Sequence, residues 1–257
     1  MDYKVLFFDV DGTLTSNVTG EIPTSTKRVI QSLREKGYHI IAATGRPLAM
    51  CDHIKELGIE TFITANGAYA THQGKCIYKV QVTQEQVVAI NQLAKQLGHS
   101  ITFYSEQLNI NEVLKEETYT ILKEQFFEDL LPNIVYKGDE IETYLMCLFV
   151  TEEELAPYKE AFPSMDYFRW HPNIVNLLEQ PSSKSVAIEH VLSYFGYTKE
   201  QAIAFGDGQN DIDMLEYVGF GVAMGNGSEQ LKSVAQYVTA DSHNDGIEKA
   251  VKELQLL

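Results

Sequence analysis

At 257 residues the chain is long enough for one large domain or two small ones, and 44% apolar with 22% charged residues describes a globular protein able to bury a sizeable core. A formal net charge of −16 works against nucleic acid and anionic membranes as partners, and it repels phosphate at long range, so a phosphate site must create its own local positive charge. Cys51, Cys76 and Cys147 are far apart and form no CxxC, which speaks against disulfides and a thiolate zinc site; with no signal-peptide pattern and no apolar run long enough to span a bilayer, the expected location is cytoplasmic.

Residues 4–10 (KVLFFDV) form an apolar run broken only by Asp9, as expected of a strand buried on both faces of a parallel sheet. Thr24 is placed to cap a helix bearing Val29, Ile30 and Leu33 on one face, with Gly37 closing it. A second buried strand (HIIAATG) ends at Thr44, a helix is expected over 47–57, and TFITANG is a third strand. This β-α-β-α-β order implies a doubly wound parallel sheet. The rhythm then changes. AYATHQGKCIYKVQV reads as a hairpin turning near Gln73-Gly74, and Thr83 with Gln86 forms a capping box for a helix stopped by Gly98. Strands are expected at ITFYS, LNINEV, TYLMCLFV and DYFRWH, and helices over 118–130 and 152–162, the first halted by Pro132. Residues 83–178 therefore read as an α+β domain inserted into an α/β domain made of 1–82 and 179–257. In the returning half, helices are expected over 183–195, after a cap at Asn210, from Ser228 and over 245–254, alternating with strands AIAFGD, FGVAM and YVT.

Four strand- or helix-end motifs carry candidate chemistry. Asp9, Asp11, Gly12 and Thr13 (DVDGT) follow the first strand, where ligands of open α/β sheets bind. Two carboxylates so close repel each other unless a proton or cation intervenes, and all-oxygen ligands suit Mg²⁺. Thr44, Gly45 and Arg46 end the second strand with a hydroxyl, a backbone amide and a guanidinium suited to phosphate oxygens. Lys184 begins a helix, where an ammonium and unpaired amides both favour an anion. GDGQND places Asp207, Asn210 and Asp211 at another strand end, and a buried strand ending in Asp207 needs a partner for that charge. In the insert, Arg169–His171 reads first as a packed strand, with Arg169 and His171 as secondary candidates for substrate contact.

Taken in order, these four elements resemble the motifs of the haloacid dehalogenase-like hydrolases, over the whole chain, and the NGA at 66–68 resembles the Cof-type branch, phosphatases with a C2B cap. The insert fits that branch: 30 residues separate Thr13 from Thr44, too few for a cap, whereas 137 separate Arg46 from Lys184. Ser185 departs from the Gly expected after the lysine. The resemblance implies a Rossmann-like core with an inserted cap, and Mg²⁺-dependent hydrolysis of small-molecule phosphomonoesters, such as a sugar phosphate or phosphorylated cofactor. Asp9 would be the nucleophile forming an aspartyl-phosphate and Asp11 the acid and then base. Asp9, Asp11 (through its carbonyl) and Asp207 would hold the metal, with Asp211 a ligand or a group orienting Lys184. Thr44, Gly45, Arg46, Lys184 and Asn210 would contact substrate. A phosphomutase or phosphotransferase using the same intermediate is the alternative, and a non-enzymatic phospho-aspartate regulator a more remote one. No nucleic acid, membrane or protein partner is expected.

Overall fold

A computed structural model describes residues 2–105, 107–113, 115–125, 134–136 and 141–257. In chain order the elements are β1 (Val5–Phe8), α1 (Thr24–Glu35), β2 (His39–Ala43), α2 (Asp52–Lys55), β3 (Thr61–Thr64), β4 (Tyr69–His72) and β5 (Lys75–Lys79). Then follow α3 (Gln84–Leu97), β6 (Ile101–Tyr104), β7 (Leu108–Ile110), α4 (Glu116–Gln125), β8 (Ile134–Val135), β9 (Leu145–Leu148), α5 (Ala156–Ala161), β10 (Asp166–His171) and β11 (Ile174–Leu178). The chain closes with α6 (Lys184–Phe195), β12 (Ala202–Gly206), α7 (Ile212–Tyr217), β13 (Phe220–Ala223), α8 (Glu229–Val234), β14 (Tyr237–Val238) and α9 (Gly246–Glu253).

The described residues divide into two compact units, one of Met1–Arg46, Cys51–Tyr78 and Ser183–Leu257, the other of Pro47–Met50 and Lys79–Ser182. The first is a doubly wound α/β unit whose eight strands run in the order β14-β13-β12-β1-β2-β3-β4-β5. The β14 to β3 pairs are parallel, and β4 returns antiparallel to β3. All four side chains of β1 are buried, the signature of a strand covered on both faces. Val5, Phe7, Ile41 and Ile63 pack with Ile188, Val191 and Leu192 of α6, so one sheet face is sealed by the helix that begins at Lys184. The chain moves to opposite sides of β1 in going to β2 and to β12, which creates a switch point at the carboxyl ends of these strands.

The second unit is α+β, with a six-stranded sheet ordered β10-β11-β9-β6-β7-β8. Val87, Ile90 and Ala94 of α3 and Tyr158 of α5 pack on Ile101, Phe103, Met146, Leu148, Val175 and Leu177. The Thr83–Gln86 capping box and the left-handed Gly98 delimit α3 as expected. Gln73 and Gly74, both at positive φ, make the hairpin turn.

Other local expectations are corrected. Pro23, not Thr24, holds the N-cap of α1 and makes no side-chain cap bond; Thr24 is already helical. The 47–57 helix reduces to a tight turn at Leu48–Met50 and the four-residue α2. The 152–162 helix is likewise a tight turn at Glu153–Leu155 followed by α5, with Pro157 in its first turn, where a missing N–H costs nothing. Of the 118–130 helix, α4 covers the part through Gln125; residues 126–130 and Pro132 lie outside those described. The buried strand β11, an interior strand of the second sheet, has no counterpart among the sequence expectations, because NIVNLL shows neither period clearly. Among the described residues no helix is long and apolar enough to cross a membrane.

In the second unit, buried His99 meets the Tyr158 hydroxyl through Nδ1 at 2.9 Å, while Glu154 lies 3.6 Å from Nε2. Burial pushes its imidazole below the usual value; Glu154 opposes and Lys115 adds to the shift. An imidazole harder to protonate when folded than when unfolded leaves stability whole above the unfolded value of about 6.5 and loses it as pH falls below. The thermal midpoint should thus drop further between about pH 8 and about pH 5 in the parent protein than in His99→Gln. Equal drops would remove His99 from the acid response.

Candidate active site

The first strand delivers Asp9. Its N–H makes the last ladder bond of β1, to Phe205 O at 2.9 Å, and the chain then turns so that Leu14 and Thr15 bond back to the carbonyls of Asp9 and Val10. Gly12 makes this turn possible at φ +80°, and any Cβ there would strike the Asp207 carboxylate. A glycine is needed twice over, for the backbone angle and for the close approach. Thr13, fully buried, donates its hydroxyl to Asp207 Oδ1 at 2.8 Å.

Lys184 enters from the first turn of α6. Ser183 caps that helix by accepting from Val186 N–H, and Asp213 of α7 accepts from Ser185 N–H at 2.8 Å, so both flanks of Lys184 are pinned. Its Nζ donates to Asp9 Oδ1 and to Asp211 Oδ1, both at 2.6 Å, with the ammonium wholly buried. The other oxygen of Asp211 accepts from Asp207 N–H at 3.0 Å and Gly208 N–H at 2.8 Å. Both oxygens of Asp211 are therefore engaged, one holding Lys184 and one folding the loop after β12.

The ends of β2 and β3 meet through backbone. Ala65 and Asn66, both at φ +51°, and Gly67 at φ +95° make a left-handed turn whose N–H groups reach the carbonyls of Arg46 and Thr44. A Cβ on Gly67 would collide with the backbone of Ser183 and Lys184, so this turn also lies against the start of α6. Asn66 Oδ1 accepts from Asn210 Nδ2 at 2.8 Å. Asn210 is thus a tie between two strand ends and does not cap α7, as was expected of it; Asp211 holds the N-cap position of α7. Arg46 takes a two-point hold on the second aspartate: Nε meets Asp11 Oδ2 at 2.9 Å and a terminal nitrogen meets Oδ1 at 2.5 Å. Buried Thr44 accepts from Arg46 N–H at 3.1 Å, keeping the TGR loop tight.

Asp9, Thr13, Lys184, Asp207 and Asp211 are therefore gathered at one end of the sheet, with Asp11 and Arg46 joined beside them and Thr44, Gly45, Asn66 and Asn210 linked along the neighbouring strand ends. Oxygens of Asp9, Asp207 and Asp211 lie within 4.8 Å of one another. Burial first, and then repulsion from Asp211, pushes the Asp9 carboxyl well above its usual range despite Lys184, and the same two influences push Asp207 up to about 7. Burial alone would discharge Lys184, but Asp211 and Asp9 outweigh it and hold the ammonium above its ordinary range. The donor set fits a hard divalent cation: it is all oxygen, it carries more negative charge than Lys184 neutralises, and Asp207 receives its side-chain bonds from the neutral Thr13 and Asn226. Asn226, whose amide bonds Asp207, went unnoticed in the sequence; its place in GNGS directly after the FGVAM strand was the available signal.

Arg169 and His171 lie in the second unit with structural engagements. Arg169 bonds Glu152 at 2.9 Å and the carbonyls of Val150 and Pro172, and His171 Nδ1 accepts from Asn173 N–H. Their first reading, as parts of a packed strand, fits these bonds.

Replacing Lys184 by Met would leave two buried carboxylates without their counter-charge. Breaking a buried pair in this way costs about 3–5 kcal/mol. Urea unfolding of Lys184→Met without added metal should show a loss of that order, and an unchanged midpoint would mean that the ammonium is not what holds these loops.

The profile of the haloacid dehalogenase-like hydrolases matches residues 6–251. The Bacillus subtilis protein named "Putative phosphatase YkrA" is 35% identical over the full length of both chains. Among solved structures, a protein from Geobacillus kaustophilus superposes with a TM-score of 0.92 at 33% identity, covering 99% of this chain and all of that one. The sugar phosphatase BT4131, of subclass IIB of the same superfamily, does so with a TM-score of 0.86 at 34% identity, covering 99% and 100%. With a profile match over nearly its entire length, the chain is an enzyme of the haloacid dehalogenase-like hydrolase family.

Proposed function

We propose that the protein is a Mg²⁺-dependent phosphatase that hydrolyses small-molecule phosphomonoesters in the cytoplasm, with Asp9 as nucleophile. The observation that carries this reading is the asymmetry of the Asp9 carboxylate. Oδ1 is held by Lys184 at 2.6 Å, while Oδ2 takes no hydrogen bond among the described residues and is left for attack. The carboxylates of Asp9 and Asp207 and the backbone carbonyl of Asp11 would hold the metal. When bound, it would supply positive charge that offsets these carboxylates and the phosphoryl oxygens. Asp211, with both oxygens engaged, orients Lys184.

In the proposed sequence Asp9 Oδ2 forms a bond to phosphorus as the bond to the leaving oxygen breaks, and Asp11 gives that oxygen a proton. Asp11 then takes a proton from water, whose oxygen bonds to phosphorus and frees Asp9 with release of inorganic phosphate. The Thr44 hydroxyl, Gly45 N–H and Lys184 hold the phosphoryl oxygens, and Asn210 steadies them through Asn66. Arg46, fixed on Asp11, orients that acid rather than binding phosphate. Positioning and charge do most of the work in such transfers. Residues 83–178 are read as the cap that chooses the substrate. The names of two similar proteins, the sugar phosphatase above and the 5-amino-6-(5-phospho-D-ribitylamino)uracil phosphatase YitU of Bacillus subtilis (28% identical, covering 97% and 96%), support sugar phosphates and phosphoribitylamino-uracils as the substrates to try.

The test is a panel of such esters with Mg²⁺, with EDTA, and with Asp9→Asn. Free phosphate should appear with Mg²⁺ and fall to background in the other two arms, and Lys184→Ala should lose roughly 10²–10³ in kcat, the cost of one preorganised donor. Full activity in Asp9→Asn would end this reading, and an isomerised phosphosugar in place of free phosphate would transfer it to a mutase.

A further inference from the structure

The loop after β13 carries Asn226, and every polar atom of its carboxamide is used. Nδ2 donates to Gly12 O at 2.9 Å and to Asp207 Oδ2 at 3.0 Å, while Oδ1 accepts from Ser242 N–H at 2.9 Å. These partners fix the orientation of the amide, since a flipped group would set its oxygen against a carbonyl and a carboxylate. Asp207 is held from the other side by the Thr13 hydroxyl, 2.8 Å from Oδ1. The support continues outward. The Ser242 hydroxyl accepts from Asn17 N–H at 2.9 Å and donates to Asn17 Oδ1 at 3.0 Å, where His243 Nδ1 also lies at 2.8 Å. The loops after β1 and β13 thus meet on one carboxylate, and the loop after β14 holds Asn226 from behind.

We propose that Asn226 is a positioning residue that sets the affinity of the Asp207 carboxylate for a divalent cation. The inference rests on the metal site described under Proposed function and extends it to a residue with no part in the four motifs. The physical reason is charge. A lysine or arginine at 226 would neutralise Asp207 and compete with the cation, and a carboxylate would add repulsion and donate nothing. A carboxamide pins the rotamer of Asp207 with a neutral donor, leaving its full charge for the metal, and pins Gly12 in the turn that carries Asp11. Partners that orient a ligating carboxylate commonly contribute about 10–100-fold to metal affinity.

The experiment uses the full chain stripped of metal and titrated with MgCl₂ by calorimetry, with thermal unfolding in EDTA measured alongside. Asn226→Ala should remain folded and bind Mg²⁺ about 10-fold or more weakly. Val251→Ala, a buried truncation in α9, controls for lost stability and should unfold earlier with its Mg²⁺ affinity unchanged. Should Asn226→Ala not fold, Asn226→Ser, which keeps one hydroxyl donor, is titrated instead, with weaker binding again expected. Unchanged Mg²⁺ affinity in the folded Asn226 variant, whatever its thermal midpoint, overturns the assignment while leaving the metal site standing. A parent protein that binds no Mg²⁺ overturns both.

Discussion

The Lys184 ammonium is buried between two carboxylates, Asp9 from the end of β1 and Asp211 from the loop after β12, at 2.6 Å from each. A charge so deeply removed from water is tolerated because both neighbours are opposite in sign and aligned as acceptors. Fixing that ammonium requires the start of α6 to be held firmly. Ser183 caps it, Asp213 binds its second amide, and Gly67 packs against its first peptide with no room for a side chain. The apolar face of α6 then seals the sheet from which Asp9 emerges. Core and site are thus parts of one construction: the helix that buries Ile188, Val191 and Leu192 is the helix that delivers Lys184.

Close approach between loops is the second constraint. Gly12, Gly67 and Gly206 each sit where a Cβ would collide with a site carboxylate or its supporting backbone. At Gly12 the would-be methyl meets Asp207, and at Gly206 it meets Asp211. The first of these contacts brings segments almost two hundred positions apart to within hydrogen-bond distance, as Thr13 and Asp207 show at 2.8 Å. Ala65 and Asn66 hold left-handed angles without the licence of a glycine, a strain of the kind that persists where the surroundings over-determine it. Here the surroundings are the carbonyls of Thr44 and Arg46 and the amide of Asn210.

Much of this was legible beforehand, for reasons that differ by residue. Apolar runs ending in Asp9, Thr44 and Asp207 announced buried parallel strands, and strand ends in such sheets are where ligands bind, so the grouping followed from periodicity and topology. The partners chosen by individual polar side chains were not legible. Asn210 was expected to cap a helix and instead reaches 144 positions back to Asn66. Arg46 grips Asp11, 35 positions earlier, a partner that the TGR motif by itself does not name. Local pattern ranks what a side chain can do with its neighbours in sequence, and these two found better-placed partners across the fold. The same limit hid Asn226, which lies beyond the four motifs. It also hid β11, whose five buried residues include Asn176, an acceptor for Trp170 Nε1 at 2.9 Å.

The charge balance of the site bears on the order in which ligands arrive. Four aspartates face two basic groups, and each basic group is already tied, Lys184 to Asp9 and Asp211 and Arg46 to Asp11. On a chain with a net charge of −16 this leaves no surplus positive charge to greet a phosphate ester. Burial and mutual repulsion push Asp9 and Asp207 upward for the same reason. On the proposed reading the carboxylates must be offset before a phosphoryl group can approach Asp9, so the cation binds first and the substrate second. On that reading Lys184 leaves a place for the cation, because its single charge neutralises only part of the cluster. Had a second lysine occupied the place of Asn226, the site would be balanced without metal, and the field that draws a divalent cation to Asp207 would be gone.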